Sequence, residues 1–161
     1  MTTRRRAGEP AIVLALAIAA GCAGATPPTN PAGGVDGAAF QPVATIGQVM
    51  DAIVIPKSDL IFEAAIYSNG ELVTAPETLE EWAALEYASL ALAESGNLLL
   101  MGPRLLDAGD WVARSHELTD AATRVLQAAR AQDVDRLLET GSVLYESCVN
   151  CHDAYVPPDA P

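Results

Sequence analysis

The sequence predicts an all-α domain built from four helices. Apolar residues recur at helical spacing across residues 40–156, and no stretch there shows the strict polar and apolar alternation of a half-buried strand. Glycine, proline and capping residues divide this region into four helical stretches joined by short connections. Four amphipathic helices joined by short connections can bury their apolar faces by packing against one another in antiparallel order. We therefore expect an antiparallel four-helix bundle.

The first predicted helix carries one interruption. It begins at about Thr45 and is kinked or ended by Pro56, which has no backbone N–H to donate. It then resumes and stops before the turn signal of Asn69 and Gly70. The expected apolar face consists of Ile46, Val49, Met50, Ile53 and Val54, followed by Leu60, Ile61 and Ala64.

The other three predicted helices are marked by capping residues. The second begins at Thr78, in a capping box with Glu81, and ends at about Gly102. The third begins after Gly109, and Asp133 can cap the fourth. The expected buried positions are Leu79, Trp82, Leu85 and Leu92 in the second helix, Trp111, Leu118, Ala122, Val125 and Ala129 in the third, and Leu137, Gly141 and Leu144 in the fourth.

A short motif, Cys-Val-Asn-Cys-His, lies near the end of the fourth helix and contains Cys148, Cys151 and His152. C-x-x-C-H is the spacing at which two thiols attach a haem covalently while the adjacent imidazole ligates its iron. On a helix, residues three and four apart lie on one face, so the three side chains point the same way. The motif predicts one covalently bound haem c.

Two other uses of a C-x-x-C pair fit this sequence less well. A redox-active dithiol needs the motif at a helix N-terminus after a strand, whereas here the motif ends a long helical pattern. A structural zinc site needs four ligands. The sequence offers no second cysteine pair, and its one other histidine is His116.

The N-terminal residues resemble an export signal. Three arginines at positions 4–6 precede an apolar run over residues 11–20, which is too short to span a bilayer, and small residues lead to Cys22. This arrangement resembles a bacterial lipoprotein signal, in which the cysteine is acylated and becomes the first residue of the mature chain. The resemblance implies a lipid-anchored protein on the periplasmic side, at the outer membrane rather than the inner one. An ordinary secretory signal cut nearby is the alternative.

These signals divide the chain into four parts. Residues 1–21 are expected to be a signal peptide and residues 40–156 the four-helix-bundle domain that carries the haem motif. Between them, residues 22–39 are rich in Gly, Pro and Ala and bury too little apolar surface to fold, so we expect a flexible tether. Residues 157–161 are expected to be a disordered tail.

A single haem motif on the last of four helices resembles the class II c-type cytochromes, which include cytochrome c-prime and its low-spin relatives. The resemblance covers residues 45–155 and implies a haem lodged in the bundle, His152 as its proximal axial ligand, and a distal site lined by the first helix. Shorter stretches that resemble monohaem proteobacterial members are Val49-Met50, Ile55-Pro56, residues 81–83, residues 93–99 and Tyr145-Glu146.

The distal side of the haem has three candidate arrangements. The resemblance implies Met50 as the distal axial ligand, as in low-spin members, and a thioether ligand raises the reduction potential. Met50 could instead fill a gap in the core. A third arrangement, that of cytochrome c-prime, leaves the sixth position open to nitric oxide or carbon monoxide. Met101 and His116 are weaker candidates for the distal ligand.

Charge bears on the partners of the protein. Residues 1–21 contribute a net +2 to the formal charge of −12, so the mature chain carries about −14. Such a surface repels nucleic acid and steers toward basic partners. Arg104 is a candidate contact for a haem propionate, because a guanidinium binds a carboxylate through two parallel hydrogen bonds.

These observations predict a membrane-tethered periplasmic electron carrier that exchanges electrons with redox proteins of basic surface. A gas-binding haem protein with an open distal site is the alternative. We recognise no motif for a nucleophile, a general base or a substrate pocket in the sequence, so no enzymatic activity is expected. Pairing of two chains through the first two helices, as in relatives, is left open.

Overall fold

The computed structural model describes residues 40–156, and most of these residues are helical. The predicted all-α class is therefore confirmed in its main feature, although a small two-stranded sheet accompanies the helices. Within residues 40–156, no helix is long and apolar enough to cross a membrane. The predicted signal peptide, tether and tail, and Cys22 with them, lie outside the described residues.

The described elements follow one another with short connections. In chain order they are α1 (Ile46–Val49), a π turn (Met50–Val54), α2 (Ile55–Phe62), β1 (Ile66–Ser68), β2 (Glu71–Thr74), α3 (Leu79–Leu99), a 3-10 turn (Gly102–Arg104), α4 (Asp110–Ala131) and α5 (Val134–Tyr155).

The first helix passes through Pro56 instead of ending there. Thr45 caps α1 in a capping box with Gln48, as the predicted start requires. Pro56 lies in the first turn of α2, directly after the π turn. Proline lacks the N–H that would bond the carbonyl four residues earlier. The chain adapts by widening the preceding turn, in which the N–H of Ile55 donates to the carbonyl of Met50.

The prediction of a helix up to Asn69 was wrong, because α2 ends at Phe62 and a β-hairpin follows. Strands β1 and β2 pair antiparallel across Asn69 and Gly70, whose φ angles are 54° and 84°. Positive φ at both central residues is typical of the tight hairpin turn that Asn-Gly favours. Both strands are exposed along their length, so no apolar alternation marked them in the sequence.

The core lies where α3, α4 and α5 pack together. Helix α3 packs against α4, α4 against α5, and α2 against both α3 and α5. The cap residues predicted for α3 and α5 are confirmed at Thr78 and Asp133, and α4 begins directly after Gly109, as predicted. Leu79 was wrongly expected in the core: it is 76% exposed, because the first residue of α3 lies beyond the helix-packing contacts. The most deeply buried apolar side chains are Leu92, Leu99, Val125, Leu137 and Leu144.

Helices α3 and α4 approach each other closely at Gly96. A Cβ atom there would collide with Thr119 Oγ1 and lie 2.6 Å from the carbonyl oxygen of Ser115. The close approach also allows Thr119 Oγ1 to donate to the carbonyl of Ala93 on α3, at 3.1 Å. Gly96 is thus required by packing and not by a special backbone angle.

Replacing Gly96 with alanine is expected to destabilise the fold, because Thr119 and the α4 backbone must move to admit a methyl group. Overpacking of this kind costs about 1–3 kcal/mol. Gly47→Ala is the matched control, since a Cβ atom at Gly47 would meet no other atom within 4 Å and alanine favours helix. Urea unfolding measures both variants. Equal free energies of unfolding for Gly96→Ala and the wild type would contradict the close approach.

Candidate functional site

One cavity brings together side chains from the two ends of the described chain. Its volume is about 370 Å³, and its wall includes Met50 from the π turn and Cys148, Cys151 and His152 from α5. The remaining lining residues are Val54, Ile55, Ser58, Phe62, Leu99, Arg114, Leu118, Tyr145, Ser147, Val149 and Asp153. Four of the residues singled out in the sequence therefore lie around one space.

The C-x-x-C-H residues occupy the last two turns of α5. Cys148 and Cys151 are half-buried and His152 is exposed, yet all three line the cavity, as their helical spacing requires. Both cysteines are free thiols. The helix ends three residues later, where the N–H of Val156 donates to the carbonyl of His152 at 2.9 Å.

The two thiols have raised pKa values. Burial is the main cause of the raised pKa of Cys148, with a hydrogen bond from Ser147 acting in the opposite direction. Burial also raises the pKa of Cys151, and the neighbouring charge of Cys148 adds to it while Arg114 opposes it. Both groups are therefore protonated at neutral pH. A redox-active dithiol instead depends on a lowered thiol pKa, usually at a helix N-terminus, so this environment disfavours that use.

A zinc site finds no support in the geometry either. Within residues 40–156, no three His, Cys, Asp or Glu side chains are grouped as metal ligands would be. A structural zinc ion needs four such ligands.

The π turn aligns Met50 with the rest of the α2 wall. Met50, Val54, Ser58 and Phe62, each four residues apart, all line the cavity. An α-helix has about 3.6 residues per turn, so residues four apart are separated by slightly more than one full turn. A series of side chains at this spacing therefore moves gradually around the helix axis. A π turn winds the chain less per residue and offsets part of this drift. Met50 is thereby kept on the cavity side, partly buried against the core.

Aromatic side chains close one side of the cavity. Phe62 on α2 and Tyr145 on α5 meet edge to face, with ring centroids 6.0 Å apart and an interplanar angle of 79°. Both rings line the cavity. Such pairs contribute about 0.5–1.5 kcal/mol beyond their buried area. The contact links α2 to α5 beside the cysteines.

Arg104 does not lie where the sequence analysis expected it. Its side chain is 5% exposed and does not line the cavity. Its Nε donates to the carbonyl of Leu98 at 2.6 Å and its Nη1 donates to the carbonyl of Ala44 at 3.1 Å. These bonds satisfy the C-terminal end of α3 and tie it to the segment before α1. The position does not fit a contact with a haem propionate.

Arg114 is the charged cavity residue that sequence reasoning missed. Its Nη1 donates to Glu117 Oε2 at 2.7 Å, and this hydrogen bond is the main cause of its raised pKa. Its Nε is buried and has no hydrogen-bond partner within residues 40–156. One signal was present in the sequence: Arg114 shares a helix face with Trp111 and Leu118, at spacings of three and four.

The two weaker ligand candidates do not reach the cavity. Met101 is partly buried and comes just before the 3-10 turn, whereas His116 is exposed on α4. Neither lines the cavity wall. Met50 is the methionine that shares the cavity with His152.

A hydrogen-bonded contact secures the end of α5 just past His152. The hydroxyl of Tyr155 donates to Asp107 Oδ2 at 2.6 Å, and its ring meets Trp111 edge to face at 4.9 Å. Asp107 Oδ1 also accepts from the backbone N–H groups of Gly109 and Trp111, at the start of α4. The Tyr155 bond lowers the pKa of Asp107 and raises the pKa of Tyr155 to about 12. The motif-bearing end of α5 is therefore attached to α4.

Comparison of the chain with protein-family models, with curated proteins and with solved structures found no match. The chemistry of the cavity is therefore inferred from its own residues. These are two thiols, an imidazole, a thioether, one guanidinium and one carboxylate around a largely apolar space.

Proposed function

We propose that the protein is a monohaem c-type cytochrome of class II that carries electrons on the periplasmic side of a bacterial membrane. The observation that carries the proposal is the shared cavity of Met50 and the C-x-x-C-H residues. A haem held from both faces needs ligands from both ends of the domain. The sequence alone did not show that Met50 and the C-x-x-C-H residues lie around the same cavity.

The residues of the cavity fit this cofactor. Cys148 and Cys151 would hold it through two thioether bonds, with His152 as one axial ligand and Met50 as the other. The haem, when bound, supplies a one-electron couple at its iron. The apolar side chains of Leu99 and Leu118 line the cavity beside these residues, and a methionine ligand would favour the reduced state.

Rigid placement of the two axial ligands favours electron transfer over ligand exchange. Met50 lies between the buried Val49 and Val54 on the first helix, which restricts its backbone. On the other side, the bond between Tyr155 and Asp107 secures the helix end that carries His152. Little is then rearranged when the oxidation state changes, which suits a carrier.

The antiparallel four-helix bundle belongs to the same proposal. We take α1, the π turn and α2 as its first helix and α3, α4 and α5 as the others. The short connections between successive helices, and the packing of α3 on α4 and of α4 on α5, support this arrangement.

The proposed partners are redox proteins with basic surfaces. Three carboxylates (Glu117, Asp120 and Glu146) and one guanidinium (Arg124) line a surface groove between α4 and α5 that also includes Asn150 of the haem motif. Together with a mature charge of about −14, this acidic groove would steer basic proteins toward the haem. The proposed lipid at Cys22 would hold the domain at the membrane.

A gas-binding protein is the second candidate. The apolar side chains of Val54, Leu99 and Leu118 in the cavity wall favour it, because they could cover a vacant sixth position. In that case Met50 would be a core residue and not a ligand.

Absorption spectra of the two oxidation states separate the two candidates. For the carrier we expect a low-spin ferric spectrum with the long-wavelength sulfur-to-iron charge-transfer band, and a ferrous form that does not take up carbon monoxide promptly. A high-spin ferric spectrum with immediate carbon monoxide binding would reject the carrier and support the gas-binding protein.

A further inference from the structure

We infer that Arg114 binds a carboxylate of the haem, a propionate, through its Nε–H. The inference rests on the proposed function, because it requires a haem in the cavity. It assigns to Arg114 on α4 the contact that the sequence analysis expected of Arg104.

The unsatisfied donor of Arg114 is the first observation. Its Nε is buried without a partner within residues 40–156, although the side chain lines the cavity. Buried polar groups in proteins are nearly always hydrogen-bonded, and an unpaired donor on a charged group is especially unfavourable. A carboxylate bound against the guanidinium would satisfy it.

The charge of the cavity wall is the second observation. Arg114 is the only lysine or arginine among the lining residues, and Asp153 is the only aspartate or glutamate. A haem c brings two carboxylates, and a carboxylate leaves water favourably only when it is paired and hydrogen-bonded. Arg104 is not available for this purpose, because its donors bond to backbone carbonyls.

The contact with Glu117 orients the guanidinium. Glu117 lies three residues beyond Arg114 on α4 and accepts from Nη1. Because the guanidinium is planar and its donors have fixed directions, holding one nitrogen restricts the direction of Nε–H. Glu117 thus leaves Nε free for a second acceptor.

A guanidinium bonded to a propionate keeps that carboxylate ionised to lower pH. The charge near the iron then stays the same as the pH changes, and the reduction potential therefore does not vary with pH. The other ionisable groups around the site are Glu117 and Asp110 beside Arg114 on α4, and Tyr145, His152 and Asp153 on α5. Cys148 and Cys151 do not ionise once their sulfur atoms are thioethers. The lining residues of the π turn, α2 and α3 have no ionisable side chains.

The test measures the reduction potential of the haem-loaded protein between about pH 5 and about pH 8. We expect a nearly constant potential for the wild type. For Arg114→Gln we expect a potential that falls as the pH rises, because the released propionate ionises in this range and stabilises the ferric state. Arg124→Gln is the control, since it removes the same charge from an exposed position on the same helix.

A second variant identifies the titrating group. Asp153→Asn, added to Arg114→Gln, should keep the pH dependence if a propionate titrates. Loss of the dependence in this double variant would assign it to Asp153 and overturn the inference. Equal pH dependence of the wild type and Arg114→Gln would also overturn it.

A measurement on the wild-type protein tests the same inference without any substitution, and so remains possible if the variants do not fold. In the reduced, ¹⁵N-labelled protein, the Nε–H signal of Arg114 should exchange slowly with water. Rapid exchange would overturn the inference. If the protein carries a covalent haem and these results fail, only the role of Arg114 is lost, whereas a protein without covalent haem would reject the proposed function itself.

Discussion

Replacing both Cys148 and Cys151 with serine is expected to abolish covalent haem attachment completely. A serine hydroxyl forms no thioether, so the remaining contacts, His152 and Met50 among them, would hold the cofactor without a covalent bond. Mass analysis after export measures the effect. The wild type should exceed the processed chain by the mass of one haem, and its colour should remain with the polypeptide after acid denaturation, whereas the double variant should show neither property.

Cys22→Ser is the matched control for this experiment. It makes the same chemical change at the third cysteine of the chain, so it should keep the haem and lose both the acyl groups and the lipoprotein-type cleavage before residue 22. A colourless wild type with the mass of the bare processed chain would contradict the cytochrome assignment. A wild type that keeps its haem but has an unmodified N-terminus lacking Cys22 would contradict the lipid anchor alone.

Met50→Ala is expected to convert the haem from low-spin to high-spin without detaching it. Alanine offers no sulfur ligand, so the charge-transfer band should disappear, carbon monoxide should bind at once in the reduced state, and the reduction potential should fall. The two thioethers and His152 remain, so the haem content should stay equal to that of the wild type. Absorption spectra and a redox titration measure these changes.

Met101→Ala serves as the control for the Met50 variant. Met101 is also partly buried, but it does not line the cavity. Its replacement should leave the spectrum unchanged. A charge-transfer band that survives in Met50→Ala, or one that disappears in Met101→Ala, would show that Met50 is not the distal ligand.

The helix boundaries that could be predicted were those set by local hydrogen bonds. Thr78 and Glu81 form their capping box, and Asp133 accepts from the N–H of Arg136, at the predicted starts of α3 and α5. Capping joins side chain and backbone only a few residues apart, so sequence spacing contains the information needed. The same reasoning explains why the C-x-x-C-H spacing was sufficient to place three side chains on one face of α5.

The hairpin and the π turn were not predicted, for two different reasons. The strands on either side of Asn69 and Gly70 are exposed and so lack the apolar alternation by which strands are recognised, although Asn-Gly itself is a hairpin signal. At Pro56, the sequence indicated that the helix is kinked or ends, but it did not indicate the π turn that precedes the proline. In the structure the segments on both sides of the proline pack onto α3, and the helix continues through it.

The amino-acid sequence by itself determined the helical class, the capping residues of α3 and α5, and the local geometry of the two cysteines and His152. Tertiary structure alone decided that Met50 lines the cavity of these residues, and that Arg114 does so instead of Arg104. The physical reason is the distance along the chain over which each kind of interaction acts. Capping and helical periodicity act within a few residues, whereas the side chain that reaches a cavity depends on how helices distant in sequence pack against each other.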